Sequence, residues 1–226
     1  MISRNLQMVQ TVSEGLGELV KDVVFIGGAV TELYATNIAI TEIRPTIDVD
    51  CIVEISSIKK YYDFEEILRK KGFKNDKKLN APICRWIFKD IVVDIMPTDE
   101  NILGFSNIWY IDGILNSQLI NLPNGIDIKI FTIPYFLASK IEAFNARSKG
   151  DFRTSSDFED IIYLLDSRIS IKEDLIHANE KVKSYIRNEF HKFLSNPNLY
   201  EGITCVLPYG SGDERIEYII EVMKIL

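Results

Sequence analysis

The segment Arg44-Pro45-Thr46-Ile47-Asp48-Val49-Asp50 and the apolar residues after it, up to Ile55, constrain this chain more than any other stretch. Polar and apolar residues alternate there, and a strand sends residues two apart to the same face. Asp48 and Asp50 therefore point together, while Ile47, Val49, Cys51 and Val53 form a face apolar enough to pack on helices. Aspartate is depleted in strands, so a pair inside an apolar strand needs a reason. Two neighbouring carboxylates repel and call for cations. In Ile91-Val92-Val93-Asp94-Ile95-Met96, Asp94 alternates against Ile91, Val93 and Ile95, so a third carboxylate can stand beside the first two. Three such groups make a hard oxygen site suited to magnesium, which keeps waters and takes its other ligands from phosphate. Taken singly, Asp94 also reads as a solvated strand residue.

The elements around these strands change character along the chain. Leu6, Val9, Val12, Leu16, Leu19 and Val20 recur at helical spacing, and the apolar run Val23 to Ile26 stops at Gly27-Gly28, which predicts helix, strand and tight turn. A short helix is expected over 29–35, a second over 61–71 ended by Gly72, and a hairpin over 87–96 turning at Lys89-Asp90. Beyond Pro134 the pattern is helical, with Leu137, Ile141 and Phe144 on one stripe and Phe158, Ile161, Ile162 and Leu165 on another. Ser156 with Glu159, Ser170 with Glu173 and Ser211 with Glu214 read as capping boxes. Residues 196–210, with Pro197 and Pro208, read as a loop. The expected class is α+β: a mixed sheet flanked by helices over 1–130, then a helical region over 131–226 packed on that core.

Composition narrows the chemistry. At 226 residues, with 46% hydrophobic and 26% charged, the chain is long and apolar enough for one large domain or two small ones without disulfides. Cys51, Cys84 and Cys205 lie far apart without metal-ligand spacing, which excludes zinc and disulfide scaffolds. A net charge of −7 argues against a general nucleic-acid coat protein. No apolar run approaches the roughly 18 residues a membrane span needs, and the first residues lack a secretion signal, so the expectation is a cytoplasmic protein without membrane contact.

Gly27-Gly28 follows an apolar strand and opens a helix, where close backbone approach lets free amides hold phosphate oxygens; an ordinary tight turn is the plainer reading. The order of glycine turn, acidic pair and acidic single resembles that of DNA polymerase β-type nucleotidyltransferases. The likeness extends further. Gly27-Gly28-Ala29, Arg44 to Asp50, Cys84-Arg85-Trp86, VDIMPTDENILGF (93–105), Lys140-Ile141-Glu142-Ala143-Phe144 and SDFEDI (156–161) resemble the AbiEii/AbiGii-type nucleotidyltransferases, toxins of bacterial toxin–antitoxin and phage-abortive systems. Recognisable blocks cover about residues 20 to 168.

That resemblance implies a polymerase β-like mixed sheet with an appended helical part. It further implies two magnesium ions, and transfer of a nucleotide from a nucleoside triphosphate to an acceptor such as tRNA or another RNA. A cognate antitoxin protein is the implied partner. By the same resemblance Gly27 and Gly28 bind the triphosphate, Asp48 and Asp50 hold metal, and Asp94 adds a third ligand and helps deprotonate or orient the attacking hydroxyl. Lys140 faces the phosphates, and Asp157 and Asp160 cover the acidic motif of the following helix. The gap from the glycines to the acidic pair is longer, and the helical half shorter, than is usual in the family.

Several of these residues also carry plainer readings. Lys140 lies at the edge of the Leu137, Ile141, Phe144 stripe, from which its ammonium reaches either a phosphate or solvent beside the core; Arg147 shares that face. Asp157 and Asp160 also suit a helix start, where the dipole favours negative charge. Arg44 steadies the acidic strand or contacts a phosphate, and Thr46 hydrogen-bonds nearby. The basic run from Arg69 to Lys78 is either a nucleic-acid contact or a solvated helix end. The alternative function is a catalytically inactive nucleotidyltransferase-fold module regulated by a partner protein; a D-x-D phosphatase or sugar transferase fits Gly27-Gly28 and Lys140 less well.

Overall fold

The computed structural model describes residues 2–37 and 43–226. It is an α+β chain that divides into two compact units, Met1–Val30 with Pro45–Thr132 and Thr31–Arg44 with Ile133–Leu226.

The first unit opens with α1 (Arg4–Leu16), whose N-cap Ser3 accepts a hydrogen bond from Leu6 N and whose Met8, Val9, Val12 and Leu16 are buried at helical spacing. Gly17, at φ +53, ends it, and a 3₁₀ segment, Gly17–Lys21, leads into β1 (Val23–Ile26). A 3₁₀ helix, Gly28–Tyr34, follows the glycine turn. A short helix was the expectation over 29–35; it takes the 3₁₀ form, and the stretch is short and contains β-branched Val30 and Thr31, which suits that tighter form used in short pieces.

Next come β2 (Asp48–Val53), α2 (Ile58–Lys70), β3 (Lys74–Asn75), β4 (Arg85–Phe88) and β5 (Ile91–Pro97). The unit closes with α3 (Glu100–Leu103), α4 (Tyr110–Leu115), β6 (Ser117–Asn121) and β7 (Asp127–Phe131). The strands form one seven-stranded mixed sheet in the order β3-β4-β5-β2-β1-β7-β6. β1 and β2 are antiparallel, whereas β1 with β7 and β2 with β5 are parallel. β1 is buried at all four positions, as its continuous apolar sequence requires of a central strand.

The β4–β5 hairpin turns at Lys89 and Asp90, at φ +46 and +65, the left-handed pair of a tight hairpin turn. That turn fixes the register: Phe88 faces Ile91, Ile87 faces Val92, Trp86 faces Val93 and Arg85 faces Asp94. β2 continues the rungs, with Val49 beside Val93 and Asp50 beside Asp94. One face of this patch therefore carries Trp86, Val93 and Val49, all fully buried, and the other carries Arg85, Asp94 and Asp50. The apolar face of β2 starts at Val49; Ile47 precedes the strand and is 77% exposed.

The second unit is helical after Thr132: α5 (Ile133–Arg147), α6 (Ser156–Ser167), α7 (Ile171–Ile176), α8 (Glu180–Leu194), α9 (Leu199–Val206) and α10 (Asp213–Lys224). Phe144 and Phe152 stack at 5.1 Å, with Phe193 edge-on to both, at the centre of its aromatic core. α9 lies within 196–210, where a loop was expected. Pro197 and Pro208 bracket the helix rather than break it, and Leu199 and Ile203 bury one side. The capping boxes do not form as read. Ser155, not Ser156, caps α6 by accepting from Phe158 N at 3.3 Å. Ser170 Oγ donates to the Asp174 carboxylate, and Ser211 Oγ to Pro208 O. No described helix is long and apolar enough to cross a membrane.

Left-handed backbone at two side-chain-bearing residues carries a cost that asparagine and glycine reduce. Replacing Lys89-Asp90 by Asn-Gly is expected to stabilise the protein by about 1 kcal/mol, seen as a higher urea midpoint at unchanged slope.

Candidate metal centre

In the first unit, Asp48, Asp50 and Asp94 each offer a carboxylate oxygen within 4.8 Å of the others. Two features of the sheet bring them together. Period-two alternation puts Asp48 and Asp50 on one face of β2, and the parallel β2–β5 register sets Asp94 beside Asp50. Val49, Cys51, Val93 and Ile95 on the opposite face are fully buried and hold that register, since a one-residue slip would exchange the faces. Asp94 is itself buried, and Asp48 and Asp50 are half-buried.

The carboxylates have specific partners. Arg85 donates from Nε and from its second terminal nitrogen to the two oxygens of Asp94, at 2.8 and 2.7 Å, a bidentate ion pair. The pair raises the Arg85 pKa, chiefly through its hydrogen bonding to Asp94, so the guanidinium stays charged. Thr46 Oγ1 donates to Asp48 at 2.8 Å, and Thr46 N donates to the buried Asn5 side chain at 3.0 Å, which ties the chain entering β2 to α1. The field of the acids reaches the neighbouring thiols. Burial first, then the negative charge of Asp94, pushes Cys84 up to about 12. Burial, then Asp50 and Asp94, raises Cys51 as well.

The β1–β2 register pairs Ile26 with Asp50, so Gly27 sits against the acidic strand. Its φ is +75, and a Cβ there would run into the Asp50 carboxylate. Glycine is thus required at Gly27 on two counts, conformation and space. Gly28 is buried at the start of the 3₁₀ helix.

Arg44, Lys140, Asp157 and Asp160 belong to the second unit, where they form an ionic network of their own. Lys140 Nζ lies 2.6 Å from Asp160 and 3.4 Å from Asp157. Arg147 holds both oxygens of Asp157, at 2.9 and 2.7 Å. Arg44 reaches Glu159 at 3.3 Å and Asp160 at 3.4 Å. The expected edge position of Lys140 is not what forms: the residue is only 7% exposed, because α5 is buried on nearly every side rather than along one stripe. Asp157 does lie in the first turn of α6, yet it is 4% exposed and Asp160 2%, so both are buried counter-ions rather than solvated helix-start charges.

Arg85 stands in the Cys84-Arg85-Trp86 block without a role of its own, although its partner was legible. Counting back from the Lys89-Asp90 turn places Arg85 opposite Asp94 without any structure. In the basic run, Arg69 is tied down, with its guanidinium 3.0 Å from Glu65 and 5.5 Å from the centre of the Trp86 ring. Lys70, Lys74, Lys77 and Lys78 are exposed. No protein-family model and no curated protein matches the chain.

Removing Lys140 would leave two buried carboxylates short of a cation, and breaking such a pair costs about 3 kcal/mol. Lys140→Ala is therefore expected to lower unfolding free energy by about that much, measured by urea denaturation; an unchanged midpoint would refute the buried network. The thiols offer a second check. Cys51 and Cys84 are buried and Cys205 is exposed. Alkylation of the native protein at mildly alkaline pH should label Cys205 alone, with the other two labelled only after denaturation. Cys84, raised from 9 to about 12, stays protonated in the folded chain while the unfolded chain ionises, so stability should fall as pH rises from 9 toward 12.

Proposed function

We propose that the protein is a magnesium-dependent nucleotidyltransferase of the polymerase β-like class, akin to the AbiEii/AbiGii-type proteins. It transfers a nucleotide from a nucleoside triphosphate to an acceptor hydroxyl, such as that of a tRNA end, and releases pyrophosphate. One observation carries this reading: the sheet register that gathers Asp48, Asp50 and Asp94 on one face and sets the Gly27 turn against Asp50.

The donor set fits magnesium. All three groups are carboxylates, hard ligands suited to an ion that keeps part of its hydration shell. The bidentate hold of Arg85 on Asp94 does not exhaust that carboxylate, which has about four lone-pair sites. Magnesium bound there would neutralise phosphate charge and align the attacking and leaving oxygens. The remaining work falls to the chain. Asp48 and Asp50 hold the ion, with Thr46 fixing the orientation of Asp48. Asp94, aimed by Arg85, orients the acceptor hydroxyl and takes its proton. Gly27 lets a triphosphate approach the backbone closely. The role of a toxin restrained by an antitoxin rests on the sequence resemblance alone.

A catalytically silent module of the same fold is the competing reading. The engagement of Lys140 with Asp157 and Asp160 favours it, since a phosphate-binding lysine would have to exchange those partners.

Incubation with labelled nucleoside triphosphates, magnesium and total RNA should give labelled RNA and pyrophosphate. Release of inorganic phosphate without labelling would point to a phosphatase, and neither product to the silent module. Asp48→Asn and Asp50→Asn should lose magnesium-dependent triphosphate binding by calorimetry while remaining folded. Asp94→Asn should keep most of that binding and lose transfer by roughly 10²- to 10⁴-fold, the usual contribution of a positioned proton acceptor. Wild-type turnover in Asp94→Asn would remove this residue from the reaction.

A further inference from the structure

The two edges of the sheet are finished differently. β3 is two residues long and is followed by Asp76, Lys77 and Lys78, a short charged edge that discourages further pairing. β6, at the other edge, runs for five residues, Ser117-Gln118-Leu119-Ile120-Asn121, with neither a charge nor a proline. Leu119 at its midpoint is 66% exposed.

The pairing with β7 decides which backbone groups of β6 are in use. Thr132 N donates to Asn116 O, and Leu122 N donates to Ile126 O. Hydrogen-bonded positions recur every second residue in an antiparallel ladder. With Gln118 opposite Ile130 and Ile120 opposite Ile128, those are the bonded rungs between the two anchors. The N–H and C=O groups of Ser117, Leu119 and Asn121 consequently point away from β7. Among the described residues they meet no other strand.

We propose that β6 pairs antiparallel with β6 of a second copy of this chain, about a two-fold axis at Leu119, so that two sheets become one. The outward positions are symmetric about that residue. Ser117 falls opposite Asn121 of the second copy, Leu119 opposite Leu119, and Asn121 opposite Ser117. Every rung then joins outward-facing groups on both strands, and each side chain meets one of its own character. A slip by one residue would set outward groups against inward ones and forfeit the bonds. The contact is isologous, the commonest form of closed assembly. A strand edge alone is small beside the ~1,200 Å² of a stable interface. Leu115, 74% exposed and two residues ahead of β6, Ile111, 55% exposed and one turn earlier on α4, and Ile108, 64% exposed, supply further apolar surface at that end. The proposal is independent of the catalytic reading.

Sedimentation velocity of the full chain over a concentration series tests it. The wild type should show a reversible monomer–dimer equilibrium. Leu119→Pro deletes an outward N–H and no bond to β7, a change that sheet edges tolerate; Leu119→Lys places like charges across the axis. Both should weaken dimerisation at least tenfold, whereas Leu119→Thr, which keeps the donor and suits a strand, should retain it. If Leu119→Pro does not fold, Leu119→Lys decides. A wild type that stays monomeric at every concentration overturns the proposal and leaves the edge to an extended peptide of another protein. A dimer that persists in folded Leu119→Lys overturns it too.

Discussion

Repulsion among Asp48, Asp50 and Asp94 is the constraint around which the first unit is organised. Unit charges 4 to 5 Å apart at a protein surface repel by roughly 3 to 4 kcal/mol per pair at an effective dielectric near 20, so three carboxylates that close do not assemble unaided. The apolar rungs on the other face of β2 and β5 supply the cohesion. Trp86, Val93 and Val49 are fully buried one residue from Arg85, Asp94 and Asp50, so the burial that holds the strands in register also forces the acids together. Arg85 then offsets part of the repulsion with two short bonds to the most buried carboxylate.

The second unit meets the same problem by a different solution. Asp157 and Asp160 are more deeply buried than the acids of β2, and each has two cations: Asp157 has Lys140 and Arg147, both on α5, and Asp160 has Lys140 and Arg44, the latter far earlier in the chain. That network balances charge internally, whereas the β2–β5 cluster brings three acids to one cation. The uncompensated negative charge that could hold a cation therefore lies at the cluster, not in the network. Buried pairs of this kind often add little net stability, but losing one partner is costly, which makes Lys140 a poor reporter of phosphate binding taken alone.

Much of the first unit was legible because its signals are local. Alternation in β2 and β5 names the face of each aspartate, and Lys89-Asp90 fixes a register from which Arg85 follows by counting. The second unit was harder to read because its decisive contacts are distant in sequence. Lys140 reads as an edge lysine so long as α5 is assigned one apolar stripe, and only the packing of several helices around α5 shows the rest of its circumference to be buried. The capping boxes failed locally: Ser170 and Ser211 donate their hydroxyls to Asp174 and to the Pro208 carbonyl, neither α7 nor α10 has a side-chain cap, and α10 starts one residue later, from Gly212 as its N-cap. The α9 helix was hidden because a proline at each end resembles a proline-rich loop when its eight residues are not tested for periodicity.

The three acids are not equivalent, and their differences bear on how they would divide a reaction. Asp48 and Asp50 are half-buried on adjacent positions of one face, open enough for an ion that retains some of its water. Asp94 is buried, has both oxygens engaged by Arg85 and lies beside thiols whose ionisation is suppressed. The two bonds from Arg85 fix the direction in which the remaining lone pairs of Asp94 point. A carboxylate held in this way is suited to orienting a hydroxyl. On the proposed reading this fits the acceptor side of the transfer, and it leaves the triphosphate to the more open pair on β2.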